Sequence, residues 1–226
     1  NTDKMVQYIG ECREMGLKVL PPDVNQSDMH FTVLRGGADP EPAAGAAGEA
    51  GQPAPAARDD IRFGLAAIKN VGEGAVEAIL RVRREGGAFS SLFDFCERVD
   101  LSALNRRMIE NLIKAGAMDS LAARRSPLLA AVDSAMEIGQ RASRDRQSGQ
   151  AGLFATAWQE PETVEKPLPD VPEWEPGQKL ASEKEVLGFY VPGHPLDQYV
   201  AKIKDLATHN SDTLEEGLER GAEVAV

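Results

Sequence analysis

Apolar positions near the start recur at helical spacing: Met5, Ile9 and Cys12 fall on one stripe, and Gly16 is placed to close a helix over residues 3–16. Pro21-Pro22-Asp23-Val24-Asn25 predicts a rigid extended segment or turn. Phe31 and Val33 alternate with polar neighbours, and Ile61, Phe63 and Leu65 do the same, which predicts two paired strands. From Gly64 to about Arg146 the spacing becomes helical, with breaks at Gly72-Glu73-Gly74, Gly86-Gly87 and Ala115-Gly116-Ala117. Residues 147–178 lose periodicity and gain Pro, Glu and Gln, so a linker or extended arm is expected there. A short amphipathic helix over 180–190 follows. Pro192-Gly193-His194-Pro195 then turns the chain into a helix over 196–206, and Ala222–Val226 alternates like a first strand.

Between the two early strands, residues 36–58 are almost entirely Gly, Ala, Pro and acidic side chains. Such a stretch has nothing to bury, and it predicts a disordered surface insertion. Asn1 is not a start residue and Val226 ends inside an alternating run, so both ends look cut from a longer protein. The two cysteines, Cys12 and Cys96, lack metal-ligand spacing and there are only three histidines. This argues against a zinc site or a disulfide framework and suits a reducing cytoplasm. No apolar run reaches the ~20 residues needed to span a bilayer.

The net charge of −11 is unfavourable for a nucleic-acid binder, but it is uneven. Residues 1–60 carry −5, residues 61–147 carry +3 and residues 148–226 carry −9. Phosphate responds to the local field, which singles out the middle third.

Within it, Leu65 and Ile68 lie one helical turn apart, Val71 is placed as a plug, and Ala75, Ile79 and Leu80 form the inner face of a returning helix. The Gly-x-Gly between them is expected to allow positive φ and to remove side chains where another backbone comes close. Its amides and the positive end of the second helix would form an anion site that reads no bases. The candidate DNA-binding residues are therefore Lys69, Asn70, Val71, Gly72, Glu73, Gly74 and Ala75, with Lys69 as a point charge and Glu73 turned to solvent. The alternative for such a hairpin is a helical corner without a ligand. Arg81, Arg83 and Arg84 are secondary candidates, though a basic run is more often a solvated face.

A degenerate second hairpin follows. Leu104, Met108, Ile109 and Leu112 face inward and Arg106-Arg107 outward, leading into Lys114-Ala115-Gly116-Ala117-Met118 with a single glycine. Packing against the first hairpin is at least as good an account of it as DNA contact. Farther on, Gln150-Ala151-Gly152-Leu153-Phe154 combines a rim hydrogen-bonder with an apolar-aromatic pair that a partner's pocket could bury.

With these residues in view, the chain resembles the alpha subunit of bacterial DNA polymerase III, a C-family replicative polymerase. The resemblance is carried by Tyr8–Cys12, Leu20–Asn25, Ile61–Leu65, the first hairpin, Phe89–Phe95, Leu112–Ala117, Glu185–Tyr190 and Gly193–Leu196. It implies a mainly α fold: a tandem helix-hairpin-helix domain, a small β-hairpin before it, and a flexible C-terminal arm leading to the start of an OB-fold domain. The implied division is the end of the fingers domain at 1–35, the Ala/Gly/Pro-rich insertion at 36–60, and the hairpin domain at 61–147. A linker at 148–178 carries the peptide, and a helical connector with the OB-fold edge occupies 179–226. The resemblance also makes Gln150, Ala151, Gly152, Leu153 and Phe154 a sliding-clamp-binding pentapeptide, although Gly152 departs from the acidic residue often found there.

Implied partners are double-stranded DNA read without sequence preference, the beta sliding clamp and other replicase subunits, with no membrane. The parent would be a DNA-directed DNA polymerase whose divalent metal, expected to be magnesium, sits on palm carboxylates upstream. This stretch has no equivalent, since acidic runs such as Glu215-Glu216 read as solvated. Alternatives are the error-prone paralogue of the same polymerase and a helix-hairpin-helix DNA-repair scaffold. The clamp peptide favours the replicase over the first, and the matches at 1–25 and 185–196 favour a polymerase over the second.

Overall fold

The computed structural model describes residues 2–35, 59–148 and 167–190. The insertion at 36–58, the pentapeptide at 150–154, and the helix and strand expected within 192–226 lie outside the described residues. Helix α1 runs Thr2–Glu14, and Gly16 (φ 73°) ends it as the Leu17 N–H bonds Cys12 O at 2.8 Å. Three short strands follow, β1 Val19–Leu20, β2 Thr32–Leu34 and β3 Asp60–Arg62. The order is β1-β3-β2, with β3 antiparallel to β2 and parallel to β1. The expected pair is thus part of a three-stranded sheet. β1 is two residues long, too short to leave an alternating signature. β3 starts inside the boundary drawn for the insertion and ends before Leu65, which opens a 3-10 turn instead.

After the turn Leu65–Ala67 come α2 Glu73–Gly86, α3 Leu92–Arg98, α4 Arg106–Lys114 and α5 Arg125–Ser148. Local chemistry sets their ends. Ser91 caps α3 by accepting from the Asp94 N–H at 3.1 Å, and Asn105 caps α4 by accepting from Met108 N–H at 3.0 Å. Arg98 closes the far end of α2, donating to Val82 O, Gly87 O and Ala88 O at 2.8–3.2 Å. The last described helix, α6, spans Pro176–Leu187 and stops at Gly188 (φ 92°). It begins four residues before the helix expected at 180–190, because Pro176 takes the first helical position, where no N–H is needed.

One core joins these elements. Leu65, Ile68, Val71, Ala75, Ile79 and Leu80 are all buried in it, as are Leu104, just before α4, and Ile109 and Leu112 of α4. Phe63 sits between Phe31 and Phe189, with ring centres 4.5 and 5.7 Å away. The segment Pro21–Asp28 ties the hairpins together. Asn25 accepts from Phe89 N–H at 2.7 Å and donates to Phe89 O at 2.9 Å, while Val24 N–H bonds Ala117 O at 2.8 Å. No helix among the described residues is long and apolar enough to cross a membrane.

Candidate nucleic-acid interface

The first hairpin is tighter than its sequence suggests. Its leading helix is a single 3-10 turn, and Lys69-Asn70 turn the chain into α2. The expected positive φ at the glycines is not found. Gly72 has φ −76° and ψ 156°, an extended conformation open to any residue, and Gly74 lies in the first turn of α2. The left-handed residue is Asn70, at φ 62°. Asn can adopt it at modest cost because its short polar side chain tolerates that region.

What distinguishes Gly72 and Gly74 is space. A Cβ built on either meets nothing within 4 Å, so no packing within the fold requires glycine there. Both are exposed, as are Asn70 and Glu73, whereas Val71 and Ala75 are buried and offer only backbone. No side chain caps α2 at Gly72. Ala75 N–H bonds Gly72 O at 3.0 Å, but the Gly72, Glu73 and Gly74 amides have no acceptor within the helix, and its positive dipole end faces the open space in front of the glycines.

Lys69 is held from three sides. Its N–H bonds Val186 O at 2.9 Å, its Nζ donates to Glu185 O at 2.9 Å, and its carbonyl accepts from the buried Asn111 side chain at 2.7 Å. It therefore joins the turn to α4 and α6 as well as carrying charge near it. Along α2, Gly74, Glu77, Arg81 and Arg84 are exposed and succeed one another at three- and four-residue steps, one face of the helix. Arg83, grouped with Arg81 and Arg84 from the sequence, has a different role. It donates to Val24 O at 3.0 Å and Ser27 O at 2.7 Å and pins the Pro21–Asp28 segment to α2. Burial pushes its pKa down, against the pull of Asp28.

The second hairpin is closed where the first is open. Gly116 (φ 79°) ends α4, with Ala117 N–H on Leu112 O at 2.9 Å and Gly116 N–H on Ile113 O at 3.0 Å. Ala115, Gly116, Ala117 and Met118 are buried, and a Cβ on Gly116 would collide with the Arg125 guanidinium. That guanidinium binds both oxygens of Asp119 at 2.7 Å and Glu183 of α6 at 2.7 Å. Burial raises the Glu183 carboxyl above its usual range, against the pull of Arg125.

The amides that open α5 have a partner from far along the chain. Arg125 N–H and Ser126 N–H donate to Glu173 at 2.8 and 3.3 Å. Glu173 also receives its neighbour Trp174's N–H at 2.7 Å and lies 3.1 Å from Lys179 Nζ. Burial raises this carboxyl, but the Trp174 and Arg125 amides, Lys179 and the Ser126 amide outweigh it and bring its pKa to about 2. Residues 167–175, expected to be a flexible arm, thus include an anchored segment. Nothing in the periodicity of 147–178 could have revealed that, since Arg124 and Glu173 make the polar contacts singly, across 46 to 48 residues.

No group of three or more His, Cys, Asp or Glu among the described residues is arranged to hold a metal ion. Where two carboxylates share a partner it is a guanidinium: Asp119 and Glu183 bind Arg125, and Glu110 and Asp133 bind Arg106.

Two hairpin units stacked through Asn111 and the Pro21–Asp28 segment define a helix-hairpin-helix protein. The helix-hairpin-helix motif family matches residues 16–128, half of the chain, and the chain belongs to that family. Among curated relatives, it is 41% identical to the DNA polymerase III subunit alpha of Vibrio cholerae serotype O1 over 96% of its own length. It is 39% identical to the subunit of that name from Pseudomonas aeruginosa over 92% of its length, and 37% identical to that of Escherichia coli K12 over 90%. The chain spans only 16–17% of the length of these relatives. The resemblance drawn from Tyr8–Cys12 through Gly193–Leu196 therefore holds over nearly the whole chain.

Proposed function

We propose that the chain grips duplex DNA and the sliding clamp for a bacterial replicative DNA polymerase. The observation that carries the DNA half is the start of α2, where Gly72 and Gly74 leave open space before unpartnered amides although nothing in the fold needs glycine there. A phosphate oxygen fits such a space, and the helix dipole favours its charge. Exposed Arg81 and Arg84 on the Gly74 face add a charge that falls off with salt and reads no sequence. Lys69 and Asn70 flank the turn, and Val71 and Ala75 support it from the core.

The similarity to polymerase alpha subunits supports the rest of the reading. The whole protein is a DNA-directed DNA polymerase of the cytoplasm, working with other replicase subunits. Its divalent metal and catalytic carboxylates lie outside this chain. Gln150–Phe154 tethers the polymerase to the beta clamp, with Leu153 and Phe154 as buried anchors. The error-prone paralogue and the repair scaffold are less well supported, because the relatives are DNA polymerase III alpha subunits matched well beyond the hairpins.

The test is a pair of double variants of the full chain. Gly72→Val with Gly74→Val fills the open space without straining the backbone, so the fold is expected to survive. Duplex affinity should fall roughly tenfold, about the worth of one or two amide–phosphate hydrogen bonds, with clamp binding unchanged. Leu153→Ala with Phe154→Ala should abolish clamp binding and leave DNA binding intact. If each pair of substitutions removed both activities in a folded protein, the division of labour would be wrong.

A further inference from the structure

The second hairpin reaches the turn of the first at the peptide joining Lys69 to Asn70. Val71 N–H bonds Ile68 O at 3.1 Å across these two residues, which closes a four-residue turn. Asn70 has φ 62° and is the one non-glycine residue with positive φ among those described, so Lys69 keeps a negative φ. Positive φ at the third position alone is the mark of a type II turn, and Asn is one of the two residues suited to it. The type I alternative differs by a flip of the central peptide, here the one between Lys69 and Asn70. A trans peptide sets its C=O and N–H on opposite sides, and no described peptide bond is cis. The flip therefore decides whether the turn shows an acceptor or a donor to its surroundings.

Asn111 acts on that flip. It is buried on α4, and its Nδ2 donates to Lys69 O at 2.7 Å. The carbonyl is drawn into the body, and the Asn70 N–H is turned away from it, on the side where Asn70 is exposed. Among the described residues nothing accepts from that N–H. Lys69 N–H is tied to Val186 O at 2.9 Å, so both polar groups of the Lys69 main chain are held.

We propose that Asn111 is a positioning residue for the phosphate site at the start of α2: it fixes the turn as type II and so presents the Asn70 amide to duplex DNA beside those of Gly72 to Gly74. The inference rests on reading the first hairpin as the duplex site. Without Asn111, a flip would free the Lys69 carbonyl from a buried place with no donor and relieve the left-handed conformation of Asn70. It would also set a carbonyl oxygen towards the space that an anion is to enter. The second hairpin, closed at its own turn, thus serves the grip by setting the turn of the first. A competing account makes Asn111 only a tie between the hairpins. That account predicts a lowered Tm and a turn of unchanged type.

Asn111→Leu nearly keeps the side-chain volume and removes the donor. In the full chain carrying it, backbone NMR couplings of Asn70 should report the loss of positive φ. Affinity for a random-sequence duplex should fall roughly tenfold, the worth of one hydrogen bond to a charged acceptor. The slope of log K against log salt should stay as in the parent, because no cation is removed. A folded variant that keeps positive φ at Asn70, or that binds duplex as the parent does, would overturn the proposal. Adding Asn70→Gly, which suits the type II turn without help, should recover part of the lost affinity. No recovery would reduce Asn111 to a tie and overturn the proposal as well.

Should Asn111→Leu fail to fold, the parent chain still decides the matter. At saturating duplex the Asn70 amide should shift together with those of Gly72 to Gly74, and an Asn70 amide that stays in place while they move would overturn the proposal. Gly72→Val with Gly74→Val, run in parallel, keeps the two readings apart. Insensitivity of the parent's binding to those substitutions rejects the first-hairpin site itself, whereas sensitivity there with an unaffected Asn111→Leu rejects only the positioning role.

Discussion

Asn25 does more than its short side chain suggests. It completes both main-chain bonds of Phe89, in the loop after α2, at 2.7 and 2.9 Å. Replacing it with Ala leaves a donor and an acceptor unpaired at a partly buried position, so Asn25→Ala should cost about 2–3 kcal/mol in urea unfolding. The cysteines contrast in a similar way. Burial, helped by the charge of Glu97, pushes the Cys96 thiol up to about 12, so almost none of it is thiolate at neutral pH. Cys12 is half-buried in the apolar groove that α1 forms with the sheet. Iodoacetamide at neutral pH should therefore label Cys12 in the folded chain and spare Cys96, as peptide mass spectrometry would reveal. Glu173 sets an acid dependence. Its folded pKa of about 2 lies below the ordinary glutamate value of 4.5, so the stability it adds is present above pH 4.5 and lost as pH falls towards 2. In Glu173→Gln the drop in Tm across that window should be smaller than in the parent.

At the scale of elements, the closest packing is α5 against α3. A Cβ on Gly139 of α5 would run into the Cys96 carbonyl and come within 2.9 Å of Leu101. Gly139→Ala should destabilise the chain by about 1–3 kcal/mol although Ala is the better helix former, because the obstacle is backbone. A thermal melt checks the sign; stabilisation would mean that α5 can shift away. The periodic elements were legible in advance. Spacing places Ala75, Ile79 and Leu80 on an inner face and Leu65 and Ile68 one turn apart, with Val71 as a plug, and each is buried. Helix burial repeats every few residues and leaves a local signature. β1 left none, since two residues cannot alternate and its partner β3 lies some 40 residues away. Nor did the backbone of the turn. Gly72 suggested positive φ, but Asn70 takes that conformation and the glycines are explained by outward space instead. The same limit hid the Arg125–Glu183 and Glu173–α5 contacts, which are single side-chain pairings across 58 and 48 residues.

For the molecule as a whole, the net charge of −11 coexists with a segment suited to phosphate because the charges are separated along the chain. The acidic residues of the described C-terminal part are largely engaged: Glu183 and Glu185 fasten α6 to Arg125 and Lys114, and Glu173 closes α5. The proposed function puts the anion site at the start of α2, with Arg81 and Arg84 exposed on the same helical face. The central claim is thus one of location, and amide-resolved NMR of the full chain titrated with a short random-sequence duplex tests it most directly. The account predicts that the amides of Gly72 to Ala75 shift first and by the most at moderate salt, with those of Arg125 and Ser126, which Glu173 already holds, unmoved. Saturating binding that shifts amides elsewhere and leaves Gly72 to Ala75 in place would contradict it.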